Sequence, residues 1–116
     1  MQRQHRLTRV SDIARVREAG RTWSNDYLSL RAAPGQAPVT RLAIAVPAAH
    51  GHAPARNRAR RLLREAFRRH VANLHPPLDM LASGRRRLRD ASLAAVAAAV
   101  DQLMARCLAE FSRGAA

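Results

Sequence analysis

The chain has 116 residues, 47% of them hydrophobic, which is enough for one domain with a modest core and too few for a second. Its 21 basic residues are all arginine and face 8 acidic ones, and the net charge of +13 indicates an anionic partner, either nucleic acid or an anionic membrane surface. The single cysteine, Cys107, excludes an internal disulfide and a cysteine-cluster zinc site, and no apolar run is long enough for a membrane span, so we expect a soluble, cytoplasmic protein.

The first predicted element is a short helix between Ser11, a residue type that caps helices, and Gly20, a stop signal. Ile13 and Val16 form its apolar side. A link from Thr22 to Asp26 is predicted to follow.

Two strands are predicted next. Leu28 to Ala32 alternates apolar and polar residues, and Val39 to Val46 does so after a turn rich in proline. In the second strand Leu42, Ile44 and Val46 point to one face, whereas the opposite face is small and basic. The first helix is expected to cross that less apolar face.

A long helix is predicted from Ala55 to about His70, and its two sides differ sharply. Wound at about 100° per residue, its alanine, leucine and phenylalanine residues fall on one side. The other side and its edges carry Arg56, Asn57, Arg58, Arg60, Arg61, Arg64 and Arg68. One acid, Glu65, cannot neutralise such a row, which therefore indicates an anion-binding surface rather than a solvated helix face.

Beyond the break at Pro76-Pro77, Leu78 to Ser83 is a strand candidate of low β propensity. The basic cluster Arg85 to Arg89 follows, either as a flexible loop or as a fixed contact. A final amphipathic helix from Leu93 to Phe111 is expected to cover the core. The order helix–strand–strand–helix–strand–helix predicts a single α+β sandwich spanning residues 1–116.

The triplet Arg56-Asn57-Arg58, followed by the basic run from Arg60 to Arg68, resembles the central signature of the protein subunit family of bacterial ribonuclease P. The resemblance extends over nearly the whole chain. The matching segments are the helix at 7–20, the strands at 25–30, 41–46 and 78–81, Arg85 and the last helix.

This resemblance implies a small mixed sheet with helices, in which the arginine helix forms an unusual left-handed crossover between parallel strands. It implies two RNA surfaces. The first surface binds the catalytic RNA through the polar side of the long helix, that is, Arg56, Asn57, Arg58, Arg60, Arg61, Arg64 and Arg68. The second surface holds the 5′ leader of precursor tRNA through Ile13, Arg15, Arg17, Tyr27, Arg31, Arg41 and Arg85. In that family the RNA is the catalyst, so Mg²⁺ is expected at the RNA subunit and no catalytic or metal-binding protein residue is expected.

The chain differs from the family pattern at three places, one of which is the strand near Leu78, which is poorer than the strand usual in the family. Ile13 and Arg17 stand where the first helix of the family usually carries aromatic residues. The loop before the triplet lacks the usual Ser-Lys-Lys-like stretch and contains His50 and His52, either as a metal-binding pair or as a solvated or phosphate-contacting pair. Trp23 and Tyr27 are left with two alternatives, stacking on bases or packing beside the first strand.

The sequence offers no constellation of carboxylates that could make the protein a nuclease by itself. It therefore predicts an RNA-binding cofactor of ribonuclease P, whose partners are the catalytic RNA and precursor tRNA, with no obligate protein partner. The alternative is another basic nucleic-acid-binding module, either ribosome-associated or a nonspecific DNA binder. A membrane-surface protein fits less well, because the apolar faces are used by the core.

Overall fold

The computed structural model describes residues 1–114, which form three helices and a four-stranded sheet. The helices are α1 (Val10–Ala19), α2 (Ala53–Ala72) and α3 (Leu93–Gly114), and the strands are β1 (Arg21–Ser24), β2 (Leu28–Pro34), β3 (Arg41–Ala45) and β4 (Leu78–Gly84). The strand order is β1-β2-β4-β3; β3 runs parallel to β4, and the other neighbours are antiparallel. The predicted α+β class is confirmed.

Strand β1 lies at one edge of the sheet, where the sequence predicts only a link. Its four residues alternate too briefly for a clear strand pattern, because only Trp23 among them is partly buried. The turn into β2 depends on Asn25, whose Oδ1 accepts hydrogen bonds from the backbone N–H groups of Tyr27 and Leu28 at 3.0 and 3.2 Å. The structure thus corrects the predicted three strands to four.

Helix α2 connects the parallel strands β3 and β4. Proline in its first turn suits a helix start, because that position has no intrahelical N–H bond to lose. The buried residues of α2 are Ala59, Leu63, Ala66, Phe67 and Val71, which confirms the predicted apolar side. The left hand of this crossover and the extent of the domain over residues 1–116 stay predictions.

The sheet is covered on both faces. The larger core lies between the sheet and helices α2 and α3, and a smaller core containing Leu7, Val16, Ala33 and Leu81 lies between the sheet and α1. Strand β4 is an interior strand, so its side chains are buried on both faces despite the low β propensity of its residues. Position in the sheet outweighs local propensity here.

Helix α3 closes the larger core and is tied to α2 by polar contacts. Nε2 of His70 lies 2.7 Å from Oδ1 of Asp101, and Arg69 pairs with the same carboxylate. The hydrogen bonds from Arg69 and then His70 lower the pKa of Asp101. Cys107 is fully buried, and burial raises the pKa of its thiol to about 12, so this cysteine is a core residue. Leu108, predicted on the apolar side, is 37% exposed.

Candidate nucleic-acid interface

Arginine side chains cover the side of α2 that faces away from the core. Arg61 and Arg64 form no hydrogen bond or ion pair with the described residues, so their charges are free to meet an anion. Arg60 donates a hydrogen bond to Oδ1 of Asn57 at 2.9 Å. Nη1 of Arg68 lies 3.3 Å from Oε2 of Glu65, but both side chains are exposed, so this ion pair neutralises the charge of Arg68 only weakly.

Arg56 and Arg58 also have roles inside the protein. Arg56 donates two hydrogen bonds, of 3.1 and 3.3 Å, to the carbonyl oxygen of Val46 at the end of β3. Arg58 donates to the carbonyl oxygens of Arg89 and Ala91, at 3.2 and 2.8 Å. Hydrogen bonds from charged donors contribute about 1.5–3 kcal/mol each. Replacing either arginine therefore removes a structural contact as well as a candidate RNA contact.

Helix α1 packs across the less apolar face of the sheet, as predicted. It begins at Val10, preceded by Arg9, and no side chain caps it, so Ser11 is not its cap. The predicted leader residues that the structure brings together beside α1 are Ile13, Arg15, Arg17, Arg31 and Arg41. Their binding of RNA stays a prediction.

The carboxylates of Asp79 and Asp12 together neutralise two of these arginines, Arg15 and Arg41. Asp79 is fully buried in β4 and accepts hydrogen bonds from Nε and Nη2 of Arg41 at 3.0 and 2.8 Å, and from Nη2 of Arg15. Asp12 of α1 lies 3.6 Å from both guanidinium groups. Burial alone would raise the pKa of Asp79, but the hydrogen bonds from Arg41 and Arg15 outweigh burial and lower it. This network fastens α1 to the sheet.

Two further arginines beside α1, Arg17 and Arg31, form no ion pair with an acid of the described residues. Both line a groove of about 260 Å³, together with Ser29 and Ser83 on the sheet. Nη1 of Arg31 donates a hydrogen bond to the carbonyl oxygen of Arg17 at 2.8 Å, which fixes the guanidinium group at the end of α1. The groove is small, polar and basic, a combination that suits a single strand of RNA.

The structure does not bring Tyr27 and Arg85 to this groove. Tyr27 packs against the larger core, on the opposite face from α1, with Cζ of Arg87 5.2 Å from its ring centroid. Arg85 follows β4 and donates to the carbonyl oxygen of Asn25 at 3.1 Å. Tyr27 lies in the turn before Leu28, the first strand residue, so the alternation of side chains along β2 does not set its direction.

Sequence reasoning does not show that Asp79 and His50 are buried, nor that His5 and Thr40 are. Asp79 is a lone acid inside the apolar run Leu78 to Leu81, and an acid so placed in a strand signals a buried ion pair. His50 was treated as a loop residue, yet it is only 6% exposed. For Trp23 the sequence leaves base stacking and packing as alternatives, and the structure shows packing, because its ring lies against Phe111 with ring centroids 6.2 Å apart.

Within residues 1–114, no three histidine, cysteine, aspartate or glutamate side chains are grouped as a metal site requires. His50 and His52 therefore lack a third protein ligand among these residues. None of the helices over this range is long and apolar enough to cross a membrane.

The chain is similar to known proteins over most of its length. The family model for ribonuclease P matches residues 1–108. The ribonuclease P protein component of Herpetosiphon aurantiacus is 39% identical over 104 residues, which cover 90% of this chain and 85% of that protein.

Two solved structures share the fold. The RNase P protein of Staphylococcus aureus superposes with a TM-score of 0.80 at 20% identity, covering 89% of this chain and 94% of that one. The RNase P protein of Thermotoga maritima superposes with a TM-score of 0.77 at 25% identity, and the match covers 87% of this chain and 96% of that one. The arginine side of α2, the mixed sheet beneath it and these similarities lead to one conclusion: the chain belongs to the ribonuclease P family, as a protein component of that RNA-containing endoribonuclease.

Proposed function

We propose that the chain binds the catalytic RNA through α2 and holds the 5′ leader of precursor tRNA in the groove between α1 and the sheet. The observation that carries this proposal is the separation of two sets of arginines that form no ion pair with an acid of the described residues. Arg61 and Arg64 lie on the outer side of α2, whereas Arg17 and Arg31 line the groove beside α1. Two surfaces of like charge on different elements can bind two RNA segments at once.

The groove is suited to a single-stranded leader of any sequence. Its arginines can contact phosphates, and Ser29 and Ser83 can donate hydrogen bonds. No aromatic side chain is among the residues that line it, so base stacking does not contribute there. The protein then acts by screening phosphate repulsion between two RNAs and by positioning the cleavage site.

The acids of the described residues are not arranged to hold Mg²⁺. The described residues contain no metal-binding cluster, and the most buried acid, Asp79, is already bonded to two arginines. We therefore propose that the metal ions are held by the RNA subunit.

Paired substitutions test the two surfaces separately. Arg17→Gln with Arg31→Gln should reduce the preference for precursor over mature tRNA by about 100-fold, because two arginine–phosphate hydrogen bonds of about 1.5 kcal/mol each are lost. Arg61→Gln with Arg64→Gln is the matched control, since it removes the same charge from α2. This control should weaken binding of the catalytic RNA and leave the precursor preference unchanged. The measurement is binding of catalytic RNA, and then of both tRNAs to the assembled enzyme.

Thermal melting must first show that both double variants are folded, since Arg31 also bonds the end of α1. Identical defects from the two pairs would contradict separate surfaces and indicate undirected electrostatic binding. If the variant with Arg17→Gln and Arg31→Gln keeps the normal preference for precursor tRNA, the leader does not bind in this groove.

A further inference from the structure

A second cavity, of about 340 Å³, lies where the parallel strands β3 and β4 end, outside the groove beside α1. Arg85, Arg86 and Arg89 line one part of it, and Pro47, Ala49 and His50 line another. Three cations around one small cavity repel each other, which is unfavourable unless an anion lies among them.

His50 is the buried polar group of this cavity. It is 94% buried, and its Nε2 has no hydrogen-bond partner among the described residues. Burying a polar atom without a hydrogen bond is unfavourable, so atoms of this kind are rare outside functional positions. Burial first, and then the charge of Arg89, lower the pKa of His50, while Asp90 opposes them. A neutral imidazole carries one N–H, and a protonated one carries two.

The arginines of this cavity differ in how far they are engaged. Arg86 and Arg89 make no side-chain hydrogen bond or ion pair with the described residues, whereas Arg85 bonds the carbonyl oxygen of Asn25. No carboxylate lines the cavity. The planar guanidinium group matches two phosphate oxygens at once, so free arginines favour phosphate over a spherical anion.

The start of α2 adds to the positive electrostatic potential around this cavity. Gly51, with φ of 128°, turns the chain between His50 and the helix, and a Cβ built on it would lie 3.9 Å from the guanidinium carbon of Arg89. Helix α2 begins two residues later, and no side chain caps its first N–H groups. The positive end of a 20-residue helix therefore lies beside the arginines.

We propose that this cavity binds one phosphate group, held by Arg86 and Arg89, with the imidazole of His50 as a further hydrogen-bond donor. The phosphate can come from the backbone of an RNA strand or from free inorganic phosphate, which share the anionic oxygens that arginine recognises. The inference goes beyond the proposed leader groove, because the cavity lies past the ends of β3 and β4 and is lined by no residue of α1.

The test uses the full chain alone, with neither tRNA nor catalytic RNA, so its failure would leave the proposed function intact. Inorganic phosphate is titrated at constant ionic strength against chloride, and the ring C–H resonances of His50 are followed by NMR. His50→Gln assigns these resonances by their loss. We expect a saturable shift and a raised pKa of His50, because a bound anion favours the imidazolium.

Three further variants locate the site. Arg86→Gln and Arg89→Gln should each weaken phosphate binding by about tenfold, as the loss of one charge-assisted hydrogen bond does. Arg106→Gln removes an exposed arginine from α3 and is the control of equal charge, so it should leave the affinity unchanged. Dispersed amide resonances verify that each variant is folded.

A short single-stranded RNA with a 5′-hydroxyl, which contains only phosphodiesters, separates the two sources. If it displaces inorganic phosphate from the cavity, the source is an RNA backbone; if it does not, the cavity takes free phosphate. The proposal is overturned if neither probe shifts the His50 resonances saturably. It is also overturned if Arg106→Gln weakens phosphate binding as much as the cavity variants do.

Discussion

RNA binding by this chain should weaken by about 10³- to 10⁵-fold between about 50 and 200 mM salt, the loss typical of a protein that neutralises about 6–10 phosphates. The prediction rests on the charge of +13 and on how few arginines are paired internally. The arginines in ion pairs with acids of the described residues are Arg15, Arg21, Arg41, Arg68, Arg69 and Arg87. The others can release counterions from RNA.

Affinity for the catalytic RNA is measured at several salt concentrations, which gives the slope of log affinity against log salt concentration. Arg61→Gln with Arg64→Gln should reduce its magnitude by about two, because each of these arginines neutralises about one phosphate. Circular dichroism over the same salt range separates binding from unfolding. A salt-independent affinity would show that the arginine surfaces are not the binding sites.

Asp79→Asn should lower the free energy of unfolding by about 3 kcal/mol. The substitution keeps the shape of the side chain but leaves the guanidinium groups of Arg15 and Arg41 without their buried carboxylate. Breaking a buried ion pair costs about 3–5 kcal/mol. The lower end of this range applies because the side chains of Arg15 and Arg41 are 24% and 19% exposed, so that both guanidinium groups can reorient toward water.

Asp101→Asn is the matched control for that substitution. Its carboxylate also bonds two side chains, Arg69 and His70, but it is 41% exposed, and exposed ion pairs contribute about 0–1 kcal/mol. Urea unfolding of both variants measures the difference. Equal, small effects would show that the Asp79 network does not fasten α1 to the sheet.

The Asp79 network also sets an acid dependence. Because folding lowers the pKa of Asp79, its stabilisation is present above the ordinary carboxyl pKa of 3.8 and is lost as the pH falls through the lower folded value. Wild-type stability should therefore decline below about pH 4, and the difference from Asp79→Asn should shrink there. A difference that stays constant down to full protonation would contradict an ionised Asp79.

The sequence predicts the long elements well because their patterns are local. The two sides of α2 and the alternation in β2 follow from side-chain periodicity alone, and both are confirmed. Strand β1 is missed because four residues with one partly buried side chain, Trp23, carry no periodic signal. Pairing with β2 makes it a strand, and that partner lies beyond the local window.

The site is predicted less completely, because ion pairing and burial depend on residues far apart in sequence. Arg15 and Asp79 are 64 residues apart, so nothing local shows that the arginine is neutralised. The burial of His50 likewise follows from the packing of its loop beside Arg85 and Arg89. That Arg17 and Arg31 form no ion pair with an acid of the described residues becomes visible only after these pairs are known.

Cleavage of precursor tRNA at low Mg²⁺ tests most directly whether this chain is a cofactor of an RNA catalyst. Three reactions are compared: the chain alone, its cognate catalytic RNA alone, and both together. We expect no cleavage by the chain alone, weak cleavage by the RNA alone, and a clear increase when both are present, because the arginine surfaces screen repulsion between the RNAs. Cleavage by the chain without RNA, or no increase on adding it, would contradict this account.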